Sequence, residues 1–204
     1  GRNGAGKTTT LRTIMGLWQA SQGSIRFAGQ DITRLNTPRI AQLNIAYVPE
    51  NMGIFADLTV QENLLLAARG ARNAAAMDAE RLRWIFGMFP AVEKFWHHPA
   101  GKLSGGQKQM VAVARAIVEP RDLLIVDEPS KGLAPAIINN MIAAFDQLKQ
   151  SGVTILLVEQ NLNFARRLGD SVAVMDNGRV VHAGAMAALA QDEALQRSLL
   201  GLAL

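Results

Sequence analysis

Gly1-Arg2-Asn3-Gly4-Ala5-Gly6-Lys7-Thr8 fits G-x-x-x-x-G-K-[ST] residue for residue, a pattern whose chemistry is the capture of nucleotide phosphates. Several backbone N–H groups must turn toward one anion, which side chains would obstruct, and the helix that follows offers its positive end to the phosphates. Lys7 supplies a point charge. Thr8 places a hydroxyl where a magnesium ion would bridge β- and γ-phosphate oxygens, so an ATP–Mg2+ or GTP–Mg2+ complex is implied rather than a bare nucleotide. A second string, Leu123-Leu124-Ile125-Val126-Asp127-Glu128, is an apolar strand ending in two acids, at the carboxyl edge where α/β folds bind ligands. Asp127 is suited to hold the metal from its other side, and Glu128 to orient or deprotonate the attacking water. Alone, that ending reads as a solvated turn; paired with the Lys7 loop it reads as hydrolytic machinery. A third string, Leu103-Ser104-Gly105-Gly106-Gln107, is another glycine-opened helix start. Its free N–H groups and the Ser104 hydroxyl can grip an anion. A structural N-cap accounts for the serine, but not for two consecutive glycines that weaken a first turn. His97, His98 and His182 do not form a metal set, because adjacent histidines cannot both face one ion on a helix.

The elements that must position these groups alternate between strand and helix from Ile45 onward, the pattern of an α/β protein on a mainly parallel sheet. Strands are predicted at Ile45–Val48, Leu123–Val126, Thr154–Val158 and Val172–Met175, each a nearly continuous apolar run, as in strands covered on both faces. Asp176-Asn177-Gly178 reads as a hairpin turn that folds Arg179–Ala183 back antiparallel. Helical stripes fall on Leu11, Ile14, Met15 and Trp18; on Met110, Val113, Ala114, Ile117 and Val118; and on Ile138, Met141, Ile142, Phe145 and Leu148. Gly152 stands at a plausible C′ position of the third. From Asp57 to about Lys102 no strand signal appears. Thr59-Val60-Gln61-Glu62 has the form of a capping box, and a second helix is predicted from Asp78 to Phe89. We therefore expect one nucleotide-binding domain over residues 1–204 with a helical subdomain inserted at 57–102. Trp84, Phe86, Phe89, Phe95 and Trp96, five of the eleven aromatic residues, give that insert a local core, and any part left uncovered would suit a hydrophobic partner.

Composition excludes several classes. The 204 residues are 49% apolar and 19% charged, enough for one substantial core. A formal charge of +4 is too small and dispersed to demand nucleic acid. There is no cysteine, which rules out disulfides and thiolate metal sites within this sequence and agrees with a reducing compartment. The apolar runs fall far short of the ~20 residues that cross a bilayer, so a membrane role would come through a partner.

Taken in order, the phosphate loop, Leu103–Gln107, the Asp127-Glu128 strand end and Glu159-Gln160-Asn161 after Val158 resemble the ATP-binding subunit of an ABC transporter across essentially the whole chain. The resemblance implies ATP and Mg2+ as ligands and a dimer, homo- or heteromeric, in which each copy's signature closes on the ATP held by the other. Phosphate binding would fall to Asn3, Gly4, Gly6, Lys7, Thr8 and Thr9, and the grip from the partner copy to Ser104, Gly105, Gly106 and Gln107. Three positions depart from the commonest pattern. Glu50 follows Val48-Pro49 where a metal-ligating glutamine is usual, Ala134 replaces an aspartate, and Gln160 replaces the switch histidine. Pro49-Glu50, Ser130-x-Gly132-Leu133-Ala134-Pro135 and Val158-Glu159-Gln160-Asn161 together resemble the branched-chain amino acid importers and relatives that serve urea or amides. Gln160 can donate a hydrogen bond to the γ-phosphate but cannot carry an imidazolium charge, so Glu128 is the expected principal catalytic group, with Gln160 as the switch. Thr8, Asp127 and Glu50 are the metal positions.

The resemblance further implies transmembrane permease subunits as partners, a periplasmic substrate-binding protein acting indirectly, and a peripheral place on the cytoplasmic face of the membrane, with no nucleic acid. An exporter or lipid-moving motor is the transport alternative. A DNA-repair ATPase is the other class, opposed by the compact stretch between Lys7 and Asp127, which has no cysteine and no sustained heptads. Because a phosphate loop hangs between a strand and a helix, a chain starting at Gly1 is read as a fragment without its N-terminal strands, and poor ATP binding by these residues alone is the corresponding expectation.

Overall fold

The computed structural model describes residue 1 and residues 3–200, the side chain of residue 200 excepted. In chain order the elements are α1 (Lys7–Ile14), β1 (Arg26–Phe27), β2 (Gln30–Asp31), α2 (Thr37–Ala41), β3 (Ile45–Val48), α3 (Val60–Leu65), α4 (Ala79–Met88), α5 (Pro90–Lys94), α6 (Gly105–Ala116), β4 (Leu123–Asp127), α7 (Pro135–Gln150), β5 (Thr154–Val158), α8 (Leu162–Leu168), β6 (Ser171–Asp176), β7 (Arg179–Ala185), α9 (Met186–Gln191) and α10 (Glu193–Leu200). The chain packs as two units, Gly1–Leu43 with the segment from Leu157 onward, and Asn44–Leu156.

In the Asn44–Leu156 unit β3 and β4 run parallel, Ile45 opposite Leu123 through Val48 opposite Val126, and β5 follows β4 in the sheet order. The apolar run of β4 is buried to its end: Leu124, Ile125, Val126 and Asp127 are all fully covered. That burial fixes where the acids emerge. α6 packs against β3, α3 and α5 and buries Met110, Val111, Ala112, Val113 and Ala114. α7 buries Met141, Ile142, Ala144, Phe145 and Leu148. It ends as a Schellman motif: Gly152, at φ +87, donates to Lys149 O (3.0 Å), and Val153 donates to Leu148 O (3.3 Å). Between β3 and β4 the stretch is helical, with short 3₁₀ turns at Ala74–Ala76 and Ala100–Lys102. The one β-type contact described there is an isolated bridge between Thr59 and Pro99. α3 opens with a reciprocal capping box between Thr59 and Glu62, and α4 is capped by Asp78. The aromatics of this stretch largely cover one another: Phe89 is buried and Phe86 meets Trp96 edge-on at 5.2 Å.

In the other unit β6 and β7 form the expected hairpin. Asn177 (φ +46) and Gly178 (φ +76) make a two-residue turn closed by the Asp176–Arg179 pair, and positive φ at both positions matches the right-handed twist of the strands. A register shift at Val174/Met175 leaves Val181 unpaired between Val180 and His182. Two expectations change here. The first stripe does not extend to Trp18: α1 stops at Ile14, and Gly16 turns the chain at φ +67, a site where a Cβ would lie 2.5 Å from Leu35 O. Trp18 is left 47% exposed, its ring 5.2 Å below the Arg12 guanidinium. Strand structure also begins before Ile45, in the two-residue antiparallel pair β1–β2.

Candidate nucleotide site

The phosphate loop is shaped by glycines that no other residue would replace without strain. Gly4 and Gly6 sit at φ +76 and +93, the left-handed region that L side chains enter at a cost of roughly 1–2 kcal/mol. Gly6 is also the N-cap of α1, and a Cβ on it would approach Gly178 Cα to 3.2 Å. The contact is purposeful, because the Gly178 N–H donates to Ala5 O at 3.0 Å, so the Asn177-Gly178 turn braces the loop from behind. Lys7 is 8% exposed and its ammonium donates to Gly1 O at 3.1 Å. Thr8 and Thr9 lie in the first turn of α1; the Thr10 hydroxyl donates to Gly6 O (3.0 Å) and the Thr13 hydroxyl to Thr9 O (2.8 Å). Gln160 reaches the loop as well: its amide Nε2 donates to Asn3 Oδ1 at 2.5 Å. In Glu159-Gln160-Asn161 the outer residues have local work. The Glu159 carboxylate accepts from the N–H groups of Gln160 and Asn161, each 3.2 Å, and Asn161 caps α8 through Phe164 N–H at 3.1 Å.

In the Asn44–Leu156 unit, Asp127 is fully buried at the end of β4, and Glu128, 8% exposed, turns at φ +49. A non-glycine residue held there marks a backbone constrained by its surroundings, a condition common at functional sites. The turn is closed by Lys131 N–H donating to Glu128 O at 3.2 Å. Glu50, after β3, is engaged by the Lys131 ammonium at 2.5 Å, and the same ammonium lies 3.8 Å from Glu128 Oε2. The hydrogen bond to Glu50, followed by the charges of Glu50, Glu128 and Asp127, holds the Lys131 ammonium above its ordinary titration range.

Ser104 N-caps α6 in a capping box: Gln107 N–H donates to Ser104 Oγ (3.3 Å) and Ser104 N–H to Gln107 Oε1 (2.9 Å). The two glycines separate in role. Gly106 is buried, and a Cβ there would meet Ile137 Cγ2 at 2.8 Å, so packing of α7 on α6 accounts for it. Gly105 faces open space beside the exposed Ser104.

Three residues absent from the motifs fix the Glu50 loop. Arg115, on α6, donates to Gly53 O (2.8 Å) and Met52 O (3.2 Å) and lies 5.6 Å from the Phe55 ring. Burial pulls its guanidinium below the usual range. Asn63, fully buried on α3, accepts from Phe55 N–H (3.0 Å) and donates to the carbonyls of Phe55 (3.0 Å), Thr59 (2.9 Å) and Leu58 (3.4 Å). Lys131 is the third. A polar residue inside an apolar helical stripe was the available signal for Asn63.

The donor chemistry suits magnesium. The named oxygens are a hydroxyl and carboxylates, and among the described residues no group of three or more His, Cys, Asp or Glu side chains could hold a metal by itself. Mg2+ takes hard oxygen donors of this kind and completes its shell with phosphates and water.

A glycine-bent phosphate loop opening a helix, with a parallel sheet whose buried strand ends in two acids, defines a phosphate-loop nucleotide hydrolase. Residues 1–131, more than half of the chain, match the family profile described as ABC transporter. The chain belongs to the ABC transporter ATP-binding family. It is 41% identical over 202 residues to the high-affinity branched-chain amino acid transport ATP-binding protein BraG of Pseudomonas aeruginosa, covering 98% of this chain and 85% of that protein. It is 36% identical over 206 residues to the "probable branched-chain amino acid transport ATP-binding protein LivF" of Archaeoglobus fulgidus, covering 99% and 85%. Among solved structures, the ADP conformation of an ATP-binding cassette of an ABC transporter matches with a TM-score of 0.80 at 25% identity, over 98% of this chain and 85% of that one. No helix among the described residues is long and apolar enough to cross a membrane.

Proposed function

We propose that this ATP hydrolase powers a membrane importer of branched-chain amino acids. The observation that carries the cargo is the 41% identity to BraG over 98% of the chain, supported by Pro49-Glu50, Ser130–Pro135 and Val158–Asn161. In this reading two copies pair head to tail. Asn3, Gly4, Gly6, Lys7, Thr8 and Thr9 bind the phosphates, and Ser104, Gly105, Gly106 and Gln107 close on the nucleotide held by the other copy. Glu128 orients or deprotonates the attacking water, and Gln160, the amide already directed at Asn3, donates toward the γ-phosphate. Thr8 and Asp127 would hold Mg2+, whose charge would offset that developing on the phosphate oxygens. Glu50 would be the third metal position, reaching through Oε2 while Oε1 stays on Lys131. Residues 57–102 act as a helical subdomain, and with the Glu50 loop they meet the permease on the cytoplasmic face; Leu66 of the subdomain and Phe55 of the loop, 62% and 53% exposed, are large apolar side chains open to solvent. The test is reconstitution of the full subunit with its permeases in vesicles. ATP-driven uptake of leucine, isoleucine or valine, abolished by Lys7→Ala, is expected; ATP-driven movement of a different cargo with none of these would overturn the assignment.

A further inference from the structure

Lys131 lies between Glu128 and the loop that follows β3, yet it belongs to none of the strings that carry phosphate chemistry. We infer that Lys131 is a positioning residue for hydrolysis: its ammonium bridges Glu50 and Glu128, so that the state of the Glu50 loop sets the attitude of the Glu128 carboxylate. The inference rests on the reading of Glu128 as the acid that handles the attacking water.

Three geometric facts carry it. The backbone of Lys131 is tied to Glu128 by the 3.2 Å N–H to carbonyl bond of the turn, so the side chain starts from a fixed point relative to that acid. The side chain is 58% exposed, and its tip meets Glu50 Oε1 at 2.5 Å and stands 3.8 Å from Glu128 Oε2. Two carboxylates drawn toward one point repel unless a cation lies between them, and an ammonium shared by both removes that repulsion. Exposed ion pairs contribute little to stability because solvent screens them. A bridge of this kind therefore matters for where Glu128 points, not for whether the chain folds.

The far end of the bridge is anchored too. Glu50 precedes Asn51, Met52 and Gly53, and the carbonyls of the last two are held by Arg115 of α6, the helix that Ser104 opens. A shift of α6 is thereby handed to the loop, from the loop to Glu50, and through Lys131 to Glu128, all within the Asn44–Leu156 unit. Lysine suits the link because its flexible stem lets one charge follow two acids.

The experiment uses the full subunit assembled with its partners. Lys131→Ala, Lys131→Met and Lys131→Arg are compared in steady-state ATP hydrolysis, in binding of a fluorescent trinitrophenyl-ATP and in urea unfolding. A misplaced catalytic group costs up to about 100-fold, so Lys131→Ala and Lys131→Met should lose roughly 10- to 100-fold in kcat, with KM and nucleotide affinity held within about two-fold and the unfolding midpoint unmoved. Lys131→Arg, which restores a cation between the acids, should recover most of the rate. Full turnover in Lys131→Ala, an Arg variant as slow as the Ala variant, or nucleotide affinity falling as far as kcat would each overturn the inference. Glu128→Gln is measured alongside. Its undiminished turnover would remove Glu128 from the water-handling role, whereas a dead Glu128→Gln beside an unaffected Lys131→Ala would discard only the bridge.

Discussion

Asn63→Ala offers the sharpest perturbation of the Glu50 loop, because the bonds of this side chain can be counted. Asn63 is fully buried and makes four hydrogen bonds to the segment 55–59. The acceptors differ from the donor in what they keep. Leu58 O still receives Ala100 N–H at 2.8 Å, Thr59 O still receives the backbone N–H of residue 63 at 3.0 Å, and Phe55 O still receives Leu58 N–H at 3.3 Å. The Phe55 N–H, whose bond is to Asn63 Oδ1 at 3.0 Å, is the group that truncation strands. An orphaned donor costs roughly 1–3 kcal/mol and each further bond contributes about 0.5–1.5 kcal/mol, so a net loss of about 3 kcal/mol is expected after the surviving partners are allowed for. Urea unfolding of the full subunit measures it. Amide hydrogen exchange should show faster exchange at residues 52–55 than at α6, and kcat should fall while nucleotide affinity holds. A loss below about 0.5 kcal/mol, within the range of a neutral surface substitution, would refute the claim that this side chain holds the loop.

The phosphate loop yields a graded pair. Gly6→Ala combines a left-handed φ with a 3.2 Å approach to Gly178 Cα, and at roughly 1–2 kcal/mol for the backbone alone it should weaken Mg-ATP binding by about ten-fold or more. Gly178→Ala has the same backbone handicap, but open space at its Cβ and an N–H still bonded to Ala5 O, so calorimetric titration should find it the milder of the two; the reverse order would contradict the bracing role of the hairpin. The backbone N–H of Thr59, then its hydroxyl, hold the Glu62 carboxyl below its ordinary range, and Thr59→Ala removes the hydroxyl's share. A depressed acid contributes stability above its unfolded value near 4.5 that is lost as pH falls through the folded value. The variant's deficit in chemical unfolding should therefore be present at pH 7 and shrink under acid; a deficit that grows toward low pH would contradict the capping-box account.

Features determined by neighbours along the chain were legible in the sequence, and those determined by distant partners were not. The β6–β7 turn follows from Asn177-Gly178, the start of α3 from Thr59 and Glu62, and the exit of α7 from Gly152, because each is decided within a few residues. The stripe expected to reach Trp18 has a spacing that continues past α1, while the feature that ends it lies at Gly16, left-handed at φ +67 and with Leu35 O where a Cβ would stand. The β1–β2 pair is too short to show alternation. At the candidate site the phosphate loop, the acids and Ser104 carry their own local signatures. The second glycine of Gly105-Gly106 has a packing cause, Ile137, that no local pattern discloses. Lys131 and Arg115 are not legible for the same reason: their partners lie 81 and 62 residues away, and a lysine in a polar turn or an arginine on a helix looks ordinary until the fold brings its partner near. Asn63, whose partners lie within eight residues, is marked only by being a polar side chain in an apolar stripe.

In the proposed dimer two copies share each nucleotide, one supplying the phosphate loop and the other Ser104. The cysteine-free sequence makes this directly measurable. One full-length copy carries Ser104→Cys and the other Asn3→Cys, both with Glu128→Gln to hold ATP uncleaved, and disulfide formation between copies is followed with and without Mg-ATP. We expect a crosslinked dimer that forms with Mg-ATP and not without it; copies that stay uncrosslinked in saturating Mg-ATP, or crosslink equally in its absence, would contradict the shared site.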